Sequence, residues 1–324
     1  MLRYRVPPMN PSRPLATAET VTTPPATPAP RDGRSRVRPD RPLRPRELQD
    51  WLNSRIYHPL SWRMAWALAP TPITPNMVSV FGAAMVVAAG IAYCQPGWPW
   101  TALLGLVLHM SWHVVDGADG DLARLTKRSG PNGEMVDGLC DYGSHTVVYL
   151  MLGWWLQQHV SAWCWIAVVA AGLSRIVQAN HYEVQRRQYQ WWAYGNAWLR
   201  QDDVPITGPG TALARLYLLL GRALAPGGAE VDAAFDRLAS DPTRAGRAHD
   251  IARAHAADLL PSWRILGANS RTILLGLAVL AGSPLYYFLF EAVLLNLVLI
   301  ASIHHAGSAA KRLEKDFVAS LGDA

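Results

Sequence analysis

The stretch Val114–His145, VVDGADGDLARLTKRSGPNGEMVDGLCDYGSH, sets five aspartates between two strongly apolar regions. Asp116 and Asp119 fall at the end of one apolar segment, and Asp137 and Asp141 at the start of the next. On a helix, residues three or four apart share a face, so each pair projects from one side of its own helix. Gly120 and Ala123 continue the first face with almost no side chain, which leaves room for a ligand to approach the backbone. Arg124 follows one turn beyond, and Gly133, Ser144 and His145 lie on or beside the second face. The connecting LTKRSGPN is short. The two helices are therefore predicted to be antiparallel neighbours, with four carboxylates converging at one mouth.

Outward from this stretch the chain is unusually apolar. Half its residues are hydrophobic, 17% are charged and fourteen are tryptophan; soluble domains carry about a quarter charged residues. Six apolar segments, near 77–95, 99–118, 137–157, 161–181, 269–282 and 284–304, approach the ~20 residues that cross a bilayer, the fifth being the shortest. The connections QPGWP, QQHVS and GSP hold no Lys or Arg, whereas the N-terminal region, RLTKRSG, the 182–268 insert and KRLEK hold several. That alternation predicts six spans with both termini in the cytosol. The net charge of +6 lies largely in the arginine-rich N-terminal region and these loops, which argues against a nucleic-acid partner. Three cysteines without CxxC or Cys/His spacing support neither a disulfide framework nor a zinc site.

The expected fold is all-α: an integral membrane protein of six transmembrane helices preceded by an interfacial amphipathic helix. Residues 1–44, rich in Pro, Arg, Thr and Ala, read as a disordered basic tail without the apolar h-region of a signal peptide. Residues 45–70 suit an amphipathic helix in the membrane interface, broken near Pro59. TPITPN interrupts it, and Thr74 or Asn76 is placed to start the next helix. The membrane domain then covers 71–310. It carries a cytosolic helical insert at about 182–265, with an amphipathic helix at 211–226 and two short polar-faced helices over 230–260. Residues 311–324 form a cytosolic tail.

Four ionised carboxylates cannot share a partly dry site unaided, because mutual repulsion would force protonation. Divalent cations resolve this, and all-oxygen ligands favour Mg²⁺ or Mn²⁺ over Ca²⁺. Two ions would balance four aspartates and still attract a diphosphate, an arrangement suited to phosphoryl transfer. A calcium loop of the EF-hand type fails, since Ala118 and Gly120 stand where oxygen ligands belong. An ion or proton pathway stays open for intramembrane acids, although it does not account for the glycines, Ala123 and Arg124.

The run DGADGDLARLTKRSGPNGEMVDGLCD fits D-x2-D-G-x2-A-R-x8-G-x3-D-x3-D at every fixed position. It resembles the signature of the CDP-alcohol phosphotransferases, the CDP-alcohol phosphatidyltransferase family. The resemblance extends over about 45–181 and more loosely over the last two spans; the insert departs from the compact family pattern. It implies that Asp116, Asp119 and Asp137 hold one metal, that Asp116, Asp137 and Asp141 surround the second, and that Asp141 is the general base. It also implies a nucleotide pocket of Asp119, Gly120, Ala123, Arg124 and Gly133. In such enzymes an alcohol oxygen attacks the phosphorus that carries the donor alcohol, and CMP leaves.

Asn76, His145 and Arg175 are further candidates for substrate contact. Arg175 stands inside the fourth apolar segment, where an arginine is functional by default. Asn180 and His181 divide evenly between site and interface. Arg271 reads as an interfacial anchor, and Glu291 as a buried acid without an evident partner. The resemblance implies a homodimer embedded in lipid, in a bacterial inner membrane. The primary expectation is transfer of a phosphatidyl group from CDP-diacylglycerol to a small polar alcohol. The alternatives are transfer of a choline- or ethanolamine-type phospho-alcohol from a soluble CDP donor to a lipid hydroxyl, and ion or proton transport.

Overall fold

The computed structural model describes residues 45–196 and 219–322, and among these there is no β-strand. The tail 1–44 and most of the helix expected at 211–226 lie outside the described residues; 219–223 are helical. A helical turn at Arg46–Leu48 leads into a helix that begins at Trp51 and passes through a π-helical stretch, Asn53–Tyr57, into α1, His58–Leu68. The expected break at Pro59 does not occur. Pro59 lies at the first turn of α1, directly after the wider π turn, where a residue without an N–H is tolerated.

Three long helices follow: α2, Pro75–Cys94; α3, Trp100–Leu125; and α4, Pro131–His159. Thr74 caps α2, its hydroxyl oxygen accepting from the Met77 N–H at 3.3 Å, so Asn76 falls inside the first turn. α5, Cys164–Tyr194, ends at Gly195 in the left-handed conformation. The insert supplies α6, Gly228–Ala239; α7, Ala245–Ala254; and the short α8, Ala256–Leu259, and α9, Pro261–Arg264. The chain closes with α10, Ala268–Leu280; α11, Leu285–Leu289; a π-helical stretch, Phe290–Leu294; and α12, Leu295–Gly322. The expected tail from 311 is thus a continuation of α12 as far as Gly322.

Pro75–Cys94 and the run 285–322 are long and apolar enough to cross a membrane by length and composition; Ala268–Leu280 is apolar but shorter. α3, α4 and α5 carry polar residues toward one end and large apolar residues on their outer faces. Leu104 and Val107 of α3, Leu150 and Trp154 of α4, and Ile166 and Leu173 of α5 are all exposed. Inside, Val86, Trp112, Val148, Leu152, Leu156 and Phe288 belong to one buried core. A second core joins the ends of α5 and α12 to the insert through Trp192, Phe235, Leu238, Trp263, Leu313 and Phe317.

Candidate active site

The antiparallel pair α3 and α4 brings the expected carboxylates together. Asp116 comes from α3, and Asp137 and Asp141 from the first turns of α4. One carboxylate oxygen from each lies within 4.8 Å of the others. All three side chains are half-buried. Asp119 borders this trio, held from the other side by α2. The Ser79 hydroxyl of α2 donates to Asp119 Oδ2 at 2.6 Å, and the Gly120 N–H donates to its Oδ1. Asp119 also reaches the side chain of Asp137, so the fourth carboxylate adjoins the other three at the same mouth.

Asp119 lies one residue past the second apolar segment. Burial pushes its carboxyl up to about 8; the Ser79 hydrogen bond opposes this, and the charges of Asp137 and Asp116 add to it. Such crowding of hard oxygen donors is what a divalent cation relieves, so the residues present fit Mg²⁺ or Mn²⁺.

Next to the cluster opens a pocket with about 530 Å³ of empty space, its mouth included. Asp119, Gly120, Ala123, Arg124 and Gly133 all line it, as does Asn76. Gly120 matters because a Cβ there would fill space 3.6 Å from the Arg124 guanidinium. Arg124 pairs with Asp121, a buried aspartate on the preceding turn of α3. The pocket also has walls not anticipated from the sequence: Ser79 and Pro75 from α2, and Arg128, Ser129 and Gly130 from the α3–α4 connection. No spacing rule links residue 79 to the motif. Its serine could have been noticed only as a small polar residue one turn after the helix start.

The rear of the site is fixed by packing. Ala65 of α1, Val78 of α2, and Val115, Ala118 and Leu122 of α3 form a buried cluster. The Ser61 hydroxyl of α1 reaches the Val114 carbonyl at 2.8 Å, and a Cβ on Gly117 would stand only 2.6 Å from Ser61 Oγ. Gly117 therefore lets α1 sit directly behind the aspartates.

The remaining candidates lie elsewhere. His145 is buried: its Nδ1–H donates to the Asp141 carbonyl at 2.8 Å, and its Nε2 is 3.2 Å from His109 Nε2. It does not line the pocket. Arg175 donates to the Tyr149 hydroxyl at 3.3 Å and is not a pocket wall. Glu291 does have partners. It accepts from Tyr149, and its Oε1 lies 3.7 Å from Arg271 Nε. Arg271, expected at the interface, is 3% exposed and donates to Gln178. His181 ties elements together: its Nδ1–H donates to the Leu224 carbonyl, which leaves Nε2 to accept from Ser302. Asn180 is buried on the same helix turn.

Residues 72–225 match the family model for CDP-alcohol phosphatidyltransferase. The chain carries a CDP-alcohol phosphatidyltransferase domain. The matched CDP-alcohol phosphatidyltransferase segment takes in α2 to α5 and hence every pocket residue and every clustered carboxylate named above; α6 to α12 lie beyond it. No curated protein matches the chain. The family is one of membrane-integral phosphotransferases that act on CDP-linked donors and alcohol acceptors.

Proposed function

We propose that this CDP-alcohol phosphatidyltransferase domain moves a phosphatidyl group from CDP-diacylglycerol to the hydroxyl of a small polar alcohol, releasing CMP in phospholipid synthesis. One observation carries the reading. A three-carboxylate cluster adjoins a pocket lined by all five residues expected to hold the nucleotide.

Asp119, Gly120, Ala123, Arg124 and Gly133 bind the cytidine diphosphate portion of the donor. Asp116, Asp119 and Asp137 would hold one Mg²⁺ or Mn²⁺ ion, and Asp116, Asp137 and Asp141 the other. Asp119 can serve while bonded to Ser79, because a carboxylate keeps further lone pairs. When bound, the ions neutralise the diphosphate and stabilise the departing CMP. Asp141 takes the proton of the acceptor hydroxyl. The acceptor oxygen forms a bond to the phosphorus bearing the lipid, and the bond from that phosphorus to the bridging oxygen breaks. The bridging oxygen leaves with CMP.

The exposed apolar faces of α2 to α5 and of the last helices support six spans, with the site and both termini on the cytosolic side of a bacterial inner membrane. The proposed organisation keeps an interfacial helix at 45–70, a membrane domain at 71–310 with its insert at about 182–265, and a cytosolic end from 311. A homodimer embedded in lipid is proposed from the resemblance alone. Asn76 stands at the pocket mouth to meet substrate, whereas His145 and Arg175 would act from behind it.

The test is CMP release from purified protein with CDP-diacylglycerol or CDP-choline, against a panel of alcohols and diacylglycerol. Release with CDP-diacylglycerol and a polar alcohol, abolished by chelator and restored by Mg²⁺ or Mn²⁺, is expected. Release only with CDP-choline and diacylglycerol reverses which substrate carries the lipid. Absence of CMP release with either donor sinks the enzyme reading in favour of transport.

A further inference from the structure

The C-terminal end of α3 turns in a specific way. The Lys127 N–H donates to the Arg124 carbonyl at 3.3 Å, and the Arg128 N–H reaches back to the Ala123 carbonyl at 2.8 Å. These two bonds define a Schellman closure, whose turning residue is left-handed and ordinarily glycine. Here that residue is Lys127, with φ of 56°. A side chain larger than glycine is thus held in a conformation that L-residues disfavour. The result is that the next residue, Arg128, folds back over the last turn of α3 and becomes a wall of the pocket, together with Ala123 and Arg124.

The charges around the pocket show what Arg128 can do there. Two lining residues are acidic, Asp119 and Asp137, and two are basic, Arg124 and Arg128. Arg124 is already paired with the buried Asp121. Arg128 is exposed and, among the described residues, has neither an ion pair nor a side-chain hydrogen bond. A diphosphate drawn to the carboxylates by divalent cations would still present negative oxygens to the basic residues of the lining. The guanidinium fork is suited to such oxygens, and charge-assisted bonds of this kind are the strong ones.

We infer that Arg128 is a second arginine ligand for the diphosphate of the CDP-linked donor, delivered by the left-handed turn at Lys127. This inference rests on the CDP-donor reading of the pocket. It adds a residue outside the D-x2-D-G-x2-A-R-x8-G-x3-D-x3-D pattern, within its eight unspecified positions. Arg128 contacts the donor and does not act on the proton of the acceptor.

The experiment is equilibrium titration of full-length, detergent-solubilised protein with CDP in the presence of Mg²⁺, using wild type, Arg128→Gln, Arg128→Lys and Lys127→Gln. Arg128→Gln should bind CDP about tenfold more weakly, about 1.4 kcal/mol, with an unchanged unfolding midpoint. Arg128→Lys should recover part of the loss, because the charge returns without the fork. Lys127→Gln removes a neighbouring charge but keeps the turn, and should stay within about twofold of wild type. In turnover, Arg128→Gln should raise KM for the donor and leave kcat nearly unchanged. CDP affinity of Arg128→Gln within twofold of wild type overturns the assignment. So does an equal loss in Lys127→Gln, which would reduce the effect to general loop charge. Wild type that fails to bind CDP at all overturns the donor reading itself, and this inference with it.

Discussion

At the scale of single residues, the site separates groups that touch the chemistry from groups that aim them. Asp141 belongs to the carboxylate cluster, one turn beyond Asp137 on α4, where the proposed mechanism requires a base. Asp141→Asn keeps the shape and removes the proton acceptor. Turnover should fall at least ~100-fold while CDP affinity stays within a few fold; CMP release near the wild-type rate would make the assignment wrong. Ser79 aims Asp119 through a buried 2.6 Å hydrogen bond. Its loss in Ser79→Ala should remove about 1 kcal/mol of orientation, read as an approximately fivefold higher Mg²⁺ requirement for CMP release. Ser79→Thr, which restores the hydroxyl, should recover most of it, and an unchanged Mg²⁺ requirement in the alanine variant would remove Ser79 from this role. The aspartates were legible in the sequence because helical spacing alone puts 116 with 119 and 137 with 141 on common faces. Ser79 and Arg128 were not. One arrives from a helix whose packing no local pattern encodes, and the other through a left-handed lysine in a run of residues that reads as an ordinary basic loop.

At the scale of elements, apolar periodicity located the long helices but not their ends or their irregularities. The second and third apolar segments continue into α3 and α4 well past their apolar portions, because the polar residues of the motif lie on the same helices. Pro59 was read as a break, yet the preceding π turn accommodates it. The other π stretch, Phe290–Leu294, contains Glu291, which is fully buried between the Tyr149 hydroxyl of α4 and Arg271 of α10. Its partners are separated from it by twenty residues and more, so the sequence showed an isolated acid where the fold holds a polar knot. Gln178 of α5 extends that knot, donating to the Glu291 carbonyl at 3.1 Å and accepting from Arg271 at 3.0 Å. Removing one member of a buried ion pair leaves the other uncompensated, a penalty of about 3 kcal/mol or more. Glu291→Ala should therefore lower the thermal unfolding midpoint in detergent substantially. Glu291→Gln, which keeps a hydrogen-bond acceptor but loses the charge, should fall between it and wild type. A midpoint for Glu291→Ala equal to wild type would show that Arg271 does not depend on this carboxylate.

At the scale of the whole molecule, the two longest helical runs far exceed what the membrane alone requires. α5 has 31 residues and the run 285–322 has 38; at 1.5 Å per residue these are about 46 Å and 57 Å, against a hydrocarbon core of about 30 Å. Their excess lies at the ends that meet α6 to α9, where the second core forms around Trp192, Phe235, Trp263 and Phe317. The segment before α1 is tied to the same region: Tyr194 and Tyr189 donate to Glu47, and Asn269 donates to Asp50 at 2.6 Å. Up-and-down alternation then puts the start of α2, the α3–α4 connection, the end of α5 and the start of α10 at one end of the bundle, and the α2–α3 and α4–α5 connections at the other. The basic loops belong to the first set, so that end should face the cytosol. Single cysteines in a background with Cys94, Cys140 and Cys164 replaced by alanine can report this in membrane vesicles of known orientation. Exposed positions 127 and 237 should react with an impermeant thiol reagent only from the cytosolic side, and exposed positions 95 and 158 only from the opposite side. The 127 and 237 pair is decisive, because between them lie all of α4 and α5 and the first part of the insert. Two crossings return the chain to the side it left; one or three would not. Labelling of 127 and 237 from opposite sides would break the six-span arrangement and separate the insert from the face that holds the aspartates.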